Sequence, residues 1–270
     1  MASRRHFLTT AGRSQASPWR DILAYLAMVT LLVWLLVRGT AGLGYNWHWY
    51  RVPEYLVRVQ GGRMVAGPLL QGLVVTLKIS ALSLVLAFVI GLVTALLRLS
   101  GSWLGRALAR GYLEIIRNTP LLVQLFFVYF VLAPILGIQA FPSAVLALSL
   151  FEGAYASEIF RSGIVSVPRG QWEAARSLGL STWQVYRLVV FPQALRWILP
   201  PLTGQGISLI KDSALVSTIA IYDLTMQGRA IISETYLVFE IWFVVAAIYL
   251  ALTLSLSVVV RQLEGHMRIG

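Results

Sequence analysis

Apolar residues in this chain gather into long blocks, and short polar stretches rich in arginine separate them. Crossing a bilayer as helix takes roughly 20 predominantly apolar residues. Six segments meet that length, at about 20–38, 68–97, 112–135, 141–160, 198–220 and 238–260, with edges uncertain by a few residues. The second is long enough to tilt or to extend beyond the lipid. Proline and glycine fall mainly at span edges and turns, where helices begin and stop. No repeat of 20–50 residues and no low-complexity linker is visible. The pattern predicts an all-α integral membrane protein with six transmembrane helices.

Composition agrees with that pattern. Hydrophobic residues make up 58% of the 270 positions and charged residues only 12%, whereas a soluble domain carries about 25% charged residues. The net charge is +11, from 20 Arg and 2 Lys against 11 acidic residues. Nucleic-acid binding would need a water-facing basic surface. Here the arginines sit between spans and alternate by side. Arg4, Arg5, Arg13 and Arg20, the groups around Arg98 and Arg169, and Arg261 and Arg268 put 14 on one side and 5 on the other. Positive residues favour the cytoplasm. Both termini and the loop holding Glu173 are therefore expected inside, and Gly44–Met64, with Trp47, Trp49 and Tyr50, outside. Ser3-Arg4-Arg5-His6-Phe7-Leu8 resembles a twin-arginine export signal ahead of the apolar run Ile22–Val37. Five further spans favour a basic cytoplasmic tail before a retained first span.

Catalytic chemistry has no candidate constellation. With no cysteine, thiolate chemistry and Cys-based metal sites are excluded. The P-loop pattern G-x-x-x-x-G-K-[ST] is absent, as are H-E-x-x-H and G-x-S-x-G. His6, His48 and His266 lie outside the spans and far apart, so they do not suggest a metal site.

The most informative polar stretch is Val167–Leu180. Pro168 biases Val167 away from helix and favours a helix start just after it. Trp172, Ala175, Leu178 and Gly179 then share one face, and Gly179 is placed to stop the helix. Ser181 and Gln184 have capping-box spacing for a second helix carrying Val185, Leu188 and Val189. Glu173 suits the helix N-terminus, and Ala174 and Ala175 allow close approach by another surface. On these grounds alone, a helical hairpin that merely closes a loop and a cytoplasmic docking element are equally open.

Wording decides further. Gln171-Trp172-Glu173-Ala174-Ala175-Arg176-Ser177-Leu178-Gly179, followed by Phe191-Pro192-Gln193-Ala194, resembles the E-A-A-x-x-x-G loop of ATP-binding-cassette (ABC) importer permeases. More narrowly, it is similar to the polar amino acid permeases of bacterial binding-protein-dependent systems. The resemblance runs from about Gly72 to Glu264. It takes in Gly72–Leu77, Tyr112–Leu122, Ala154–Arg161 and Lys211–Ser217. It implies a five-helix type I importer core at 67–264, with a tail, one additional N-terminal helix and an external segment at 1–66. It further implies a second permease subunit, ATP-binding-cassette ATPase subunits that hold ATP and Mg, an extracytoplasmic solute-binding protein, and a bacterial inner membrane location. Glu173, Ala174, Ala175 and Gly179 then form a cytoplasmic coupling helix. The chain itself is expected to be no enzyme and to hold no cofactor; the missing P-loop fits an energy source on another polypeptide.

Ionisable residues inside spans are costly and mark function by default. Lys78, Glu152, Glu158, Lys211 and Asp212 qualify. Lys78 is set aside as snorkelling or paired within the bundle, and Glu152 stays unassigned. Glu114 and Arg117 are expected to pair at i, i+3 near the cytoplasmic entry of the third span, and Thr119-Pro120 to cap that span, so that this stretch is an interfacial helix turning into it. An amino acid needs an anion for its ammonium and donors for its carboxylate. Glu158 or Asp212 suits the first role and Arg161, Lys211 or Ser213 the second, with Tyr155 on the Glu158 stripe. The same charges can instead form a salt bridge that pins the fourth and fifth spans. Acidic, basic and neutral polar solutes all fit, because both signs of charge occur in the spans. Two rival readings remain: a channel or secondary transporter without an ATPase, and a subunit whose permease partner alone holds the solute.

Overall fold

The computed structural model describes residues 18–42 and 44–268, so the twin-arginine-like stretch lies outside the described residues. The chain divides into two compact units, Met1–Trp47 and His48–Gly270. In the first, helix α1 (Pro18–Gly42) is a single apolar helix. The second holds two short strands, β1 (Val57–Gln60) and β2 (Arg63–Ala66), then α2 (Pro68–Leu99), α3 (Trp103–Arg117) and α4 (Leu121–Leu136). It continues with α5 (Ala140–Val165), α6 (Arg169–Ser177), α7 (Phe191–Asp212), α8 (Leu224–Thr235) and α9 (Val238–Arg268).

Among the described residues, four helices are long and apolar enough to cross a membrane, or five if α3 and α4 count as one bent span. Two of the expected spans are drawn differently. The expected third span opens inside α3, an amphipathic helix that buries Gly105, Ala109, Leu113 and Ile116 and exposes Arg106, Arg110 and Arg117. It meets α4 at 107°. Pro120 causes the break, because it lacks an N–H and keeps Thr119 out of helical backbone. Pro120 itself occupies the N-cap, correcting the expected cap at Thr119, whose hydroxyl donates back to the Ile115 carbonyl at 2.8 Å. The expected fifth span joins α7 to tight 3₁₀ turns at Ser213–Ile219. Lys211 and Asp212 at its end, with Thr203, Gln205 and Ser208 before them, dilute its apolar character.

The fold is not wholly α. β1 and β2 pair antiparallel with Val57 opposite Ala66 and Val59 opposite Met64. Gly61 and Gly62 turn the chain at φ +57° and +78°, the backbone that a two-residue hairpin requires and that non-glycine residues resist. The alternation around Gly-Gly was legible but short beside the membrane-length blocks.

The most extensive helix contact is between α2 and α5, and α5 packs also on α7. Small residues line the first seam, among them Ser83, Ala87, Gly91, Ser149 and Ala156, all buried. Helices in lipid gain no hydrophobic force from association, so close backbone approach and hydrogen bonds carry it. The Ser149 hydroxyl donates to the Ser83 carbonyl at 3.3 Å, and the Ser83 hydroxyl to the Val145 carbonyl at 3.4 Å. The second seam is as tight: a Cβ added at Gly163 would lie 2.2 Å from Ile198 Cγ1. Gly163→Val is expected to destabilise the folded permease by about 3 kcal/mol. Thermal unfolding of the purified protein checks it, and an unchanged midpoint would show that α5 and α7 separate freely.

Candidate functional site

Helix α6 begins directly after Pro168 and ends in the turn expected from Gly179. Gly179 lies at φ +74°. Its N–H donates to the Arg176 carbonyl at 2.9 Å, and that of Leu180 to the Ala175 carbonyl at 3.3 Å, which together make a Schellman motif. The capping box forms as well. The Ser181 hydroxyl accepts from the Gln184 N–H at 3.4 Å, and the Gln184 side chain accepts from the Ser181 N–H at 2.9 Å. Ala175 is buried in a cluster with Val185, Val190, Ala194 and Ile198. Trp172 packs edge-on against Tyr186 at 5.2 Å between ring centres. Glu173, Ala174 and Gly179 are exposed. So is Leu178, at 80%, although the spacing sets it on the same face as buried Ala175. The α6 termination turns it away, leaving an apolar tip in the open. Beyond it, a π-helical segment at Val185–Val190 runs into Phe191-Pro192, where the missing proline N–H loosens the helical ladder.

Inside the bundle, the acidic groups divide into two places. The first centres on Glu152 of α5, 1% exposed. Gln205 of α7 donates its side-chain amide to Glu152 Oε2, and the Asp212 carboxyl stands within interaction range of the Glu152 side chain. Glu152 Oε1 is buried with no hydrogen-bond partner. A buried carboxylate is costly unless it is hydrogen-bonded, and here a second carboxyl, Asp212, lies beside it. The second place is the inner end of α5. Glu158 accepts from Arg161 Nε at 3.2 Å and also from Arg98 Nη1 of α2. One carboxylate thus lies between two guanidiniums, a cluster with net positive charge.

The structure therefore brings Glu158 and Arg161 together, as their spacing permits, and sets Asp212 beside Glu152 instead. Glu152 and Glu158 are six positions apart, about 9 Å along a helix. The salt bridge considered between the fourth and fifth spans is replaced by one between the second and fourth. Lys211 is exposed. The Ser213 hydroxyl is spent on the Ile210 carbonyl at 2.7 Å. Tyr155 packs tilted against Phe151 at 5.0 Å between ring centres, with the Arg117 guanidinium 6.0 Å from its ring centre. Arg117 is thus not paired with Glu114, which accepts from the Asn118 amide at 3.0 Å.

Sequence reasoning missed Arg98, Gln205, Asp223 and Glu240. Asp223 is buried and accepts from the Met226 N–H at 2.8 Å, capping α8, while Thr76 of α2 accepts from the Leu224 N–H at 3.1 Å. Glu240 is buried near the start of α9 and accepts from the His48 N–H at 2.7 Å. Its place inside an expected span was a signal that could have been used.

Residues 87–269 match the family described as the binding-protein-dependent transport system inner membrane component. The chain belongs to this family. The permease is 42% identical over 204 residues to the glutamine transport system permease protein of Escherichia coli (strain K12), covering 74% of this chain and 93% of that one. It is 41% identical over 215 residues to the nopaline transport system permease protein of Agrobacterium fabrum (strain C58 / ATCC 33970), covering 74% and 89%. A solved amino acid ABC transporter with histidines superposes with a TM-score of 0.68 at 41% identity, covering 74% of the permease and 94% of that chain. The inward-facing methionine transporter MetNI, at 22% identity and a TM-score of 0.65, shares the fold. The permease has the type I ABC importer fold, and its apolar helices make it a multi-pass membrane protein. Permeases of this kind work with an ATPase and a binding protein.

Proposed function

We propose that this permease carries polar amino acids through an ATP-driven importer by alternating access. The observation that carries this reading is Glu152. Its buried carboxyl, held by Gln205 and set beside a second carboxyl at Asp212, offers an acidic acceptor to the ammonium that every amino acid presents. The likeness to glutamine and nopaline permeases and to an amino acid ABC transporter supports the same solute class. Glu158 is already neutralised by Arg98 and Arg161, so it closes the inner end of the path, with Tyr155 between the two clusters. Lys211 and Ser213 line the path beside Asp212 without a direct bond to the solute.

In this reading the permease domain spans 67–264 and has five crossings, counting the α3–α4 pair and α7, with α1 as the sixth. Both termini lie in the cytoplasm of a bacterial inner membrane. Helix α6 is the coupling helix: Glu173, Ala174 and Gly179 face a groove on an ATPase subunit, and buried Ala175 ties the helix to α7. Two permease subunits pair on two ATPase subunits, which hold the ATP and Mg. Solute uptake into proteoliposomes containing the permease, ATPase and binding protein tests this. Uptake is expected to vanish without ATP or without the ATPase. Undiminished ATP-independent uptake would instead establish the channel or secondary-transporter reading.

A further inference from the structure

The β1–β2 hairpin lies before the family match at residues 87–269 and has a built-in asymmetry. Its register places Val57, Val59, Met64 and Ala66 on one face and Arg58 and Arg63 on the other. Both faces are open, with Val59 71% and Met64 84% exposed. A lone two-stranded hairpin is marginal in water, and its unpaired edges invite a partner. This one is rooted: the Gly67 N–H donates to the Leu56 carbonyl at 2.7 Å, and α2 starts at Pro68. Among the described residues neither hairpin arginine has an acidic partner. Arg58 donates to the Glu54 backbone carbonyl at 3.3 Å, and the nearby Glu54 carboxylate pairs with Arg51 at 4.0 Å.

Helix length sets the height of the hairpin. The 32 residues of α2 extend about 48 Å, against a hydrocarbon core of about 30 Å. Counting back about 20 residues from Arg98 at the inner end reaches exposed Lys78. The turns from Leu77 to Pro68 then rise about 15 Å further and carry the hairpin clear of the lipid. We propose that the β1–β2 hairpin is a docking element for an acidic surface of the extracytoplasmic solute-binding protein. The family's dependence on such a protein supplies the partner, the arginines supply the charge that selects it, and the apolar face supplies the contact to be buried. The proposal rests on the outward placement of this segment given above.

The test uses the permease–ATPase complex in proteoliposomes and the solute-loaded binding protein encoded with the permease. The reading is the binding-protein concentration that half-stimulates ATP hydrolysis. The variant carrying Arg58→Glu and Arg63→Glu is expected to need roughly 10-fold more, and the native value to rise with salt while the variant's does not. An unchanged concentration at every salt level overturns the proposal. So does a difference seen only with anionic lipid, which would place the hairpin on headgroups. Met64→Cys, introduced into a chain without cysteine, separates the two claims. Labelling by an impermeant maleimide from outside, with an unchanged half-stimulating concentration, rejects docking alone. Labelling only from inside rejects the outward placement as well.

Discussion

Glu152→Ala is expected to lower ATP-driven uptake by roughly 10- to 150-fold, the loss of one hydrogen bond to a charged group at about 1.5–3 kcal/mol. The side chain is buried between α5 and α7, with Gln205 and Asp212 beside it. Glu152→Gln keeps the shape and one acceptor but loses the charge, so its uptake should fall between native and alanine. A purely structural Glu152 would predict something else. Removing a buried carboxyl that serves only packing should shift the unfolding temperature and spare transport in whatever folded protein remains. The measurements are therefore uptake per assembled complex and thermal unfolding of the same preparation. Native uptake in both Glu152→Ala and Asp212→Asn would sink the solute-site assignment.

Glu173→Lys is expected to abolish retention of the ATPase subunit while leaving the permease itself as stable as native. Glu173 is exposed in the first half of α6 and has no ion pair among the described residues, so its replacement costs the fold little. Gly179→Asp acts through the backbone instead. A non-glycine residue at φ +74° costs about 1–2 kcal/mol, and the Schellman turn that aims Leu178 outward would loosen. Copurification and ATP hydrolysis coupled to uptake check both. If both variants hold the ATPase and transport as the native chain does, α6 is only a loop closure.

Local features were legible because their causes are local. Pro168, Gly179, Ser181 and Gln184 act within one or two helical turns, and each appears where spacing placed it. The i, i+3 pair of Glu158 and Arg161 is a property of one helix. Glu114 and Arg117 have the same spacing yet do not pair, because Asn118 and Tyr155 offer them nearer company. Spacing permits a contact; the neighbours on other helices decide whether it is made. An interfacial helix turning into the third span at Thr119-Pro120 was legible for the same local reason, but a proline break signals a bend and not its 107° size.

By itself the sequence determined the membrane class, the lengths of most helices and the limits of α6, all of which follow from hydropathy, backbone restriction and short-range capping. Only the tertiary structure decided which charges meet. Gln205 reaches Glu152 across 53 residues, and Arg98 reaches Glu158 across 60. Such pairs depend on how each helix is rotated about its axis and slid along its neighbour. That rotation is set by the small-residue seams of α2, α5 and α7, where an extra carbon at Gly163 would already collide. Periodicity within one helix carries no record of that fit, so the acidic corner at Glu152 came into view only when the helices were packed.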